Sequence, residues 1–426
     1  MIIPRFIKIF SIAVIISFLV SSVESTKKNL KCPGPLDKID DHLNEKGEKY
    51  IITFDKPDNE AIENHFDTMQ NCWKRPIKHI IPNKLLNDKN TLMDFSVKGY
   101  LHGYCGYFTK SFIDKHLSNI PGINIEKDGL FKINRVLPFD FTKRTIAKNP
   151  TKNIDRIDQS RRPLDGKFIY PVSAGEGTNI YIIDTGVRIT HKEFGNRARF
   201  GASFCKDCND QDEDGHGTQV ASIVAGTTFG VARKANIIAV RVFDVTGDAS
   251  KSDIINAMSF VLNEHNKNQN KNTIINMSLN GDFSKSMNNI IENLTNAGIH
   301  VVVAAGNDDT NACKSSPSSA PTAITVGATE EDSDQVVDFS NFGRCLDIFA
   351  PGVNIKGAGN QSDDDVLELS GTSQASPHVA GTIALIISEF GNRSPNEMSN
   401  ILNRLSSKNT IKGLKNGSPD SFLRTP

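Results

Sequence analysis

Residues Asn179-Ile180-Tyr181-Ile182-Ile183-Asp184-Thr185-Gly186 form an apolar run that ends on a carboxylate. Four more short apolar runs follow: Asn236 to Val242, Thr273 to Leu279, Ile299 to Ala305 and Ala323 to Val326. Helical patterns, such as Lys251 to Glu264 and Lys285 to Ala297, lie between them. Alternation of this kind predicts an α/β fold built on a parallel sheet with helices on both faces. In such sheets functional side chains gather at the carboxyl ends of the strands. The Asn- and Lys-rich run Asn263 to Asn272 has no periodicity and reads as a surface loop. Ser394, Pro395 and Glu397 supply an N-cap, a first-turn proline and a capping-box acid, so a helix is expected to run from there to about Leu405.

The 426 residues are enough for this domain, residues 150–426, and a smaller one before it. At the start, Arg5 and Lys8 precede an apolar run from Ile9 to Val20, followed by Ser21, Ser22 and Ser25. That is the pattern of a secretory signal peptide, residues 1–22, and the run is shorter than a membrane-spanning helix needs. The protein is therefore expected to be secreted or extracellular, with a vacuolar compartment as the alternative, and to have no membrane span once the signal is removed. Residues 49–133 read as a small α+β domain. It has a strand over Tyr50 to Phe54, a helix over Asp58 to Gln70, a hairpin over Thr91 to Phe108, a helix over Lys110 to Leu117 and an extended segment from Ile123 to Ile133. The basic, proline-containing stretch 134–149 reads as a processing linker.

Lys plus Arg and Asp plus Glu both number 49, so no net field favours nucleic acid. Seven cysteines suit an oxidising compartment and leave one unpaired. Cys205 and Cys208 lack the second C-x-x-C of a zinc site, which leaves a local disulfide or two spare thiols. The pairing of Cys32, Cys72 and Cys105 is open.

Three segments place reactive side chains where strands end or helices begin. Asp184 closes the apolar strand, and alone it would more often be a cap or turn residue. His216, in Asp214-Gly215-His216-Gly217-Thr218, opens a helix and alone is as readily a hydrogen-bonding residue as a base. Ser373 opens a long apolar helix in Ser370-Gly371-Thr372-Ser373-Gln374-Ala375-Ser376-Pro377-His378-Val379-Ala380-Gly381. Asp210, Asp212 and Asp214 copy the first half of a calcium loop, but the twelfth position is Ala221 rather than Glu. They read instead as a solvated loop ahead of His216.

Together with Ala304-Ala305-Gly306-Asn307, these segments resemble the subtilisin superfamily of serine proteases, in particular its proteinase K-like branch. The resemblance implies a subtilisin-like fold and a serine endopeptidase with Asp184, His216 and Ser373 as its catalytic triad. It places Asn307 in the oxyanion hole and makes His378 a packing residue. Ser278, Leu279, Asn280, Gly281, Ala304, Ala305 and Gly306 would line the substrate cleft. The family commonly has glycine where this chain has Asn280, which implies an altered pocket.

The small domain resembles the family's ferredoxin-like inhibitory propeptide, so the protein's own propeptide and its peptide substrates are the expected partners. Cleavage is expected between Asn134 and Asn149, by the protein itself or by a dibasic-specific protease at Lys143-Arg144. No cofactor is needed for the chemistry. A structural Ca²⁺ maps to the carbonyls of Pro321 and Ala323 and the carboxylate of Asp347. Cys313 and Cys345 resemble a disulfide pair of the proprotein convertase that regulates the low-density-lipoprotein receptor. Gln219 and Gln374 depart from the family's usual histidine and methionine. That convertase also has Gln after its serine and acts chiefly on itself, so the alternative function is a self-cleaved binding protein that keeps its propeptide.

Overall fold

The structure, a computed structural model, describes residues 48–55, 65, 78–80, 91–97, 101–118, 120, 122–132, 150–205 and 208–426. The expected signal peptide, the linker 134–149 with Lys143-Arg144, Cys32, Cys72 and nearly all of the helix over Asp58 to Gln70 lie outside the described residues.

Among the described residues before 133, six strands occur: β1 (Glu48–Phe54), β2 (Lys78–Ile80), β3 (Thr91–Val97), β4 (Leu101–Phe108), β5 (Ile123–Lys127) and β6 (Leu130–Lys132). The first five form one sheet in the order β2-β3-β4-β1-β5. The helical turn α1 (Lys110–Phe112) runs on into Ile113–Leu117. Alternation along β1 divides its side chains between two faces. Tyr50 and Ile52 pack with Tyr104, Phe108, Ile113 and Leu117 in this domain's own core. Ile51 and Cys105 belong to the core of the larger domain. The segment expected to be extended from Ile123 to Ile133 is interrupted at Asp128 and Gly129, because its two halves pair with different partners. β5 pairs with β1, while β6 pairs antiparallel with β10 (Asp248–Ser250) of the larger domain.

The larger domain is organised on a seven-stranded parallel sheet in the order β16-β15-β13-β11-β7-β9-β8. The strands are β7 (Asn179–Asp184), β8 (Ala198–Ser203), β9 (Asn236–Arg241), β11 (Thr273–Met277), β13 (His300–Ala304), β15 (Ile324–Thr329) and β16 (Ile348–Pro351). After α2 (Lys152–Ile157), the helices α3 (His216–Ala225), α4 (Lys251–Lys267), α5 (Lys285–Asn296), α6 (Thr372–Phe390) and α7 (Pro395–Leu405) complete the main elements. The unbroken apolar character of β7 follows from this layering. Ile180 and Ile182 pack with Val220, Val224, Val379 and Ile383 of α3 and α6. Tyr181 and Ile183 face the opposite layer, with Ile254, Met258, Met287 and Ile291 of α4 and α5.

The capping box at Ser394 and Glu397 forms as expected and α7 ends at Leu405. One expectation fails. Residues 263–267, read as a loop, are the last turns of α4. Polar residues mask the periodicity there, but His265 is buried and bonds Thr273 and the Ala297 carbonyl, which holds the turn in place. Among the described residues no helix is long and apolar enough to cross a membrane.

Two short antiparallel pairs complete the domain: β12 (Gly281–Asp282) with β14 (Ser315–Ser316), and β17 (Ile355–Ala358) with β18 (Val366–Leu369). Disulfides join Cys205 to Cys208 and Cys313 to Cys345, and Cys105 is a buried free thiol.

The N-terminal helix α2 is anchored by Arg156, which is fully buried. Its Nε and Nη2 donate to the two carboxylate oxygens of Asp334, each at 2.8 Å, and its guanidinium lies 3.9 Å from the Phe422 ring centroid. Removing one member of such a pair strands a buried charge. Asp334→Ala is therefore expected to lower stability by about 3–5 kcal/mol, measured as a fall in the thermal unfolding midpoint.

Candidate active site

The sheet brings Asp184 and His216 together. Asp184 ends β7 and His216 is the first residue of α3, both fully buried, and His216 Nδ1 lies 2.8 Å from Asp184 Oδ1. A carboxylate only accepts hydrogen bonds, so Nδ1 donates and the lone pair resides on Nε2. His216 Nε2 is buried and has no hydrogen-bond partner among the described residues. The approach is close: a Cβ on Gly217 would collide with the Gly186 carbonyl, so residue 217 must be glycine.

Asp212 holds this junction, and here the sequence reading is corrected. It is buried rather than solvated, and its carboxylate accepts from Thr185 Oγ1 (2.9 Å), Gly215 N (2.9 Å), Asp214 N (3.1 Å), Thr218 N (2.9 Å) and Thr218 Oγ1 (2.5 Å). Burial pushes its carboxyl above the usual range, against the pull of these hydrogen bonds. The loop gains this carboxylate a dry setting because Arg241, also buried, gathers the flanking Asn209, Gln211 and Glu213. Asp210 remains exposed, and Asp214 accepts from His216 N at 3.0 Å.

Ser373 is the second residue of α6, and Pro377 lies four residues further along. Proline has no N–H to donate to the Ser373 carbonyl. That carbonyl instead accepts from Ser278 Oγ at 2.7 Å, while Ser373 Oγ donates to the Ser278 carbonyl at 3.1 Å. The pair ties the start of α6 to the segment leaving β11. Asn307, which follows β13, is fixed from the same helix: its Oδ1 accepts from Thr372 N and Thr372 Oγ1, each at 2.9 Å. With Oδ1 taken, the amide's orientation is set and Nδ2 is its donor.

Ala304, Ala305 and Gly306 are buried, and Asn341 supports them. Its Nδ2 donates to the Ala305 carbonyl and its Oδ1 accepts from Asp308 N and Thr310 N. Ser278, Leu279 and Asn280 are buried opposite, and Gly281 begins β12. His378 is fully buried between the Gln374 carbonyl and Asn153, and burial pulls its imidazole down to about 4. Sequence reasoning missed Asp212 and Asn341 as organisers of the site. The only sequence signal for Asp212 was its place in the acidic run before His216.

The two glutamines that depart from the family pattern meet. Gln374 Nε2 donates to Gln219 Oε1 at 3.2 Å, and Gln219 Nε2 donates to the Ile355 carbonyl at 2.8 Å. Both are buried, one residue after Ser373 and three after His216. The segment from Pro321 to Ala323 runs into β15 beside Asp347, whose Oδ2 accepts from Thr325 N at 2.8 Å. Burial pushes the Asp347 carboxyl up to about 6, opposed only by that hydrogen bond. A carboxyl withdrawn from water without a protein cation is a hard oxygen donor of the kind a divalent ion takes. Among the described residues no cluster of three or more His, Cys, Asp or Glu side chains forms a metal site.

Comparison with known proteins agrees with this architecture. The subtilase family model matches residues 175–418. Subtilisin-like protease 3 of Pseudogymnoascus destructans is 46% identical over 268 residues, 62% of this chain and 66% of that protein. Subtilisin-like protease 2 of the same organism is 34% identical over 393 residues, 92% of this chain and 91% of that protein. The crystal structure of a cold adapted subtilisin-like serine proteinase superimposes with a TM-score of 0.62 at 36% identity, covering 66% of this chain and 99% of that one.

The contact between Gln219 and Gln374 predicts energetic coupling. Gln219→Ala leaves Gln374 Nε2 buried without its partner, with an expected cost of about 1–3 kcal/mol. In a double-mutant cycle with Gln374→Met, the second substitution is expected to cost less in the Gln219→Ala background than alone, as read by thermal unfolding.

Proposed function

The chain belongs to the subtilase family of serine endopeptidases, and on that premise we propose that Asp184, His216 and Ser373 are its catalytic triad, in a protease secreted as a self-processed zymogen. The observation that carries this reading is the buried 2.8 Å contact between His216 and Asp184, set beside the helix whose second residue is Ser373.

In the proposed cycle His216 Nε2 takes the proton from Ser373 Oγ as that oxygen bonds to the scissile carbonyl carbon. Asp184 orients the imidazole and stabilises the imidazolium. The negative oxygen of the tetrahedral intermediate accepts from Asn307 Nδ2 and the Ser373 N–H. Return of the proton to the leaving amine breaks the peptide bond. Water then repeats the sequence and releases the acyl group.

Residues 49–133 act as inhibitor in this reading, and their contacts support it. Asp128 accepts from Ser252 N and Ser252 Oγ at the start of α4, and Lys49 pairs with it at 3.1 Å. Glu126 accepts from Ser284 Oγ, the N-cap of α5, at 2.7 Å. Two carboxylates thus sit at the positive ends of two helices, where negative charge is favoured. β6 adds a strand to β10, the way an extended peptide binds a sheet edge. The signal-like segment at the start of the sequence supports secretion.

The test is expression of the whole precursor beside Ser373→Ala and Asn307→Ala. The unaltered protein is expected to shed residues before about 149 and digest an unfolded protein, and Ser373→Ala to do neither. Asn307→Ala is expected to lose roughly 10²–10³-fold in kcat. Cleavage with the fragment retained and no digestion would transfer the reading to a self-processed binding protein.

Calcium is proposed at Asp347 with the Pro321 and Ala323 carbonyls, where it would stiffen the loop before β15. The Asp347 carboxyl rises from its ordinary 3.8 to about 6 in the fold. An acid with a raised folded pKa loses stability as pH climbs from its unfolded to its folded value, and nothing further above it. Calcium needs the ionised form. It is therefore expected to raise the thermal midpoint more at about pH 7.5 than at about pH 5, a difference that Asp347→Asn abolishes.

A further inference from the structure

The segments that leave β11 and β13 part at the carboxyl edge of the sheet, and Asn280 fills the space between them. A Cβ built on Gly306, whose φ is +104°, would lie 2.6 Å from Asn280 Nδ2 and 3.1 Å from its Cγ. The amide therefore rests against the bare face of Gly306. Ser318 Oγ is within hydrogen-bond reach of Asn280 Oδ1 at 3.3 Å, as it is of the Ala312 carbonyl at 3.0 Å, and the amide lies with its Nδ2 end toward Gly306. Among the described residues no acceptor takes the Nδ2 protons. Asn341, the other amide at Gly306, has its Nδ2 committed to the Ala305 carbonyl.

The position of this donor relates it to the reacting atoms. Asn280 is two residues beyond Ser278, which bonds Ser373 in both directions, and Gly306 immediately precedes Asn307. The segment that reaches Asn280 is bonded to Ser373 and the one that reaches Gly306 runs on into Asn307, so on the protease reading the residue that carries the scissile carbonyl lies beside the gap between them. Asn280 is 7% exposed there, so its amide takes up volume that glycine would leave open and offers two N–H donors in a nearly dry setting.

We infer that Asn280 determines specificity: the protein cleaves after compact side chains that carry a hydrogen-bond acceptor, such as asparagine or glutamine, and rejects large aromatic ones. This rests on the protease reading above. A polar site rejects an apolar isostere because its own donor is then left unpaired on binding. A phenylalanine ring would meet the amide sterically as well.

The test uses the enzyme matured from its full-length precursor and peptide substrates that differ only in the residue before the scissile bond. For the near-isosteric pair asparagine and leucine, kcat/KM is expected to favour asparagine by roughly fivefold or more, with phenylalanine slowest. Asn280→Gly is expected to make phenylalanine the best substrate and bring the asparagine-to-leucine ratio to about one. Asn280→Asp keeps the shape and replaces the donors with acceptors. It is expected to lose the preference for asparagine while still excluding phenylalanine, and it carries the test if the glycine variant does not mature. Ser373-dependent hydrolysis that is fastest after phenylalanine, or a profile unchanged by both substitutions, overturns this inference alone. Hydrolysis that survives Ser373→Ala, or none at all in the unaltered protein, overturns the protease reading beneath it.

Discussion

The site depends on one buried carboxylate. Asp212 receives hydrogen bonds from Thr185, directly after Asp184, and from Gly215 and Thr218, on either side of His216. It joins a strand end, Asp184, and a helix start, His216, that lie 32 residues apart in the chain. Without such a clamp, two flexible approaches would have to find the 2.8 Å contact between Asp184 and His216 against the entropy of the intervening loop. The cost of drying the carboxylate is offset because its oxygens are fully engaged, and Arg241 organises the loop around it.

The second clamp arises from a missing group. Pro377 cannot donate to the Ser373 carbonyl, and Ser278 from the neighbouring strand supplies the hydrogen bond instead. A residue that interrupts the hydrogen-bond ladder of a helix is what allows that helix to be bonded to the sheet at its first turn. Thr372 does the same for Asn307 through its backbone N–H and its hydroxyl. The helix start thus fixes the proposed nucleophile and the proposed oxyanion donor together, and a shift of one would move the other.

The sheet's layering explains how the small domain can rest on the larger one without disturbing the site. α3 and α6, which carry His216 and Ser373, share one face of the sheet. α4 and α5 lie on the opposite face, and their N-termini receive Asp128 and Glu126. Ile51 and Cys105 extend the apolar core on that face across the junction, and burial pushes the Cys105 thiol up to about 12, which keeps it protonated.

Much of this was legible from local pattern. Both-face burial makes a strand such as β7 apolar throughout, and capping chemistry announces α7, because each depends on residues within a few positions of one another. Asp184, His216, Ser373 and Asn307 were legible as four short segments that resemble one family. What sequence could not supply was the partner of each polar side chain. The dry setting of Asp212 comes from Thr185 and Arg241, 27 and 29 residues away, so an acidic run that looked solvated is in part the centre of the site. Gln219 and Gln374 read as two separate departures until the packing of α3 against α6 made them one hydrogen bond across 155 residues. Local preferences act over a few residues and survive in the sequence alone. Pairings of buried polar groups are set by which segments the fold brings together, and only the tertiary structure decides them.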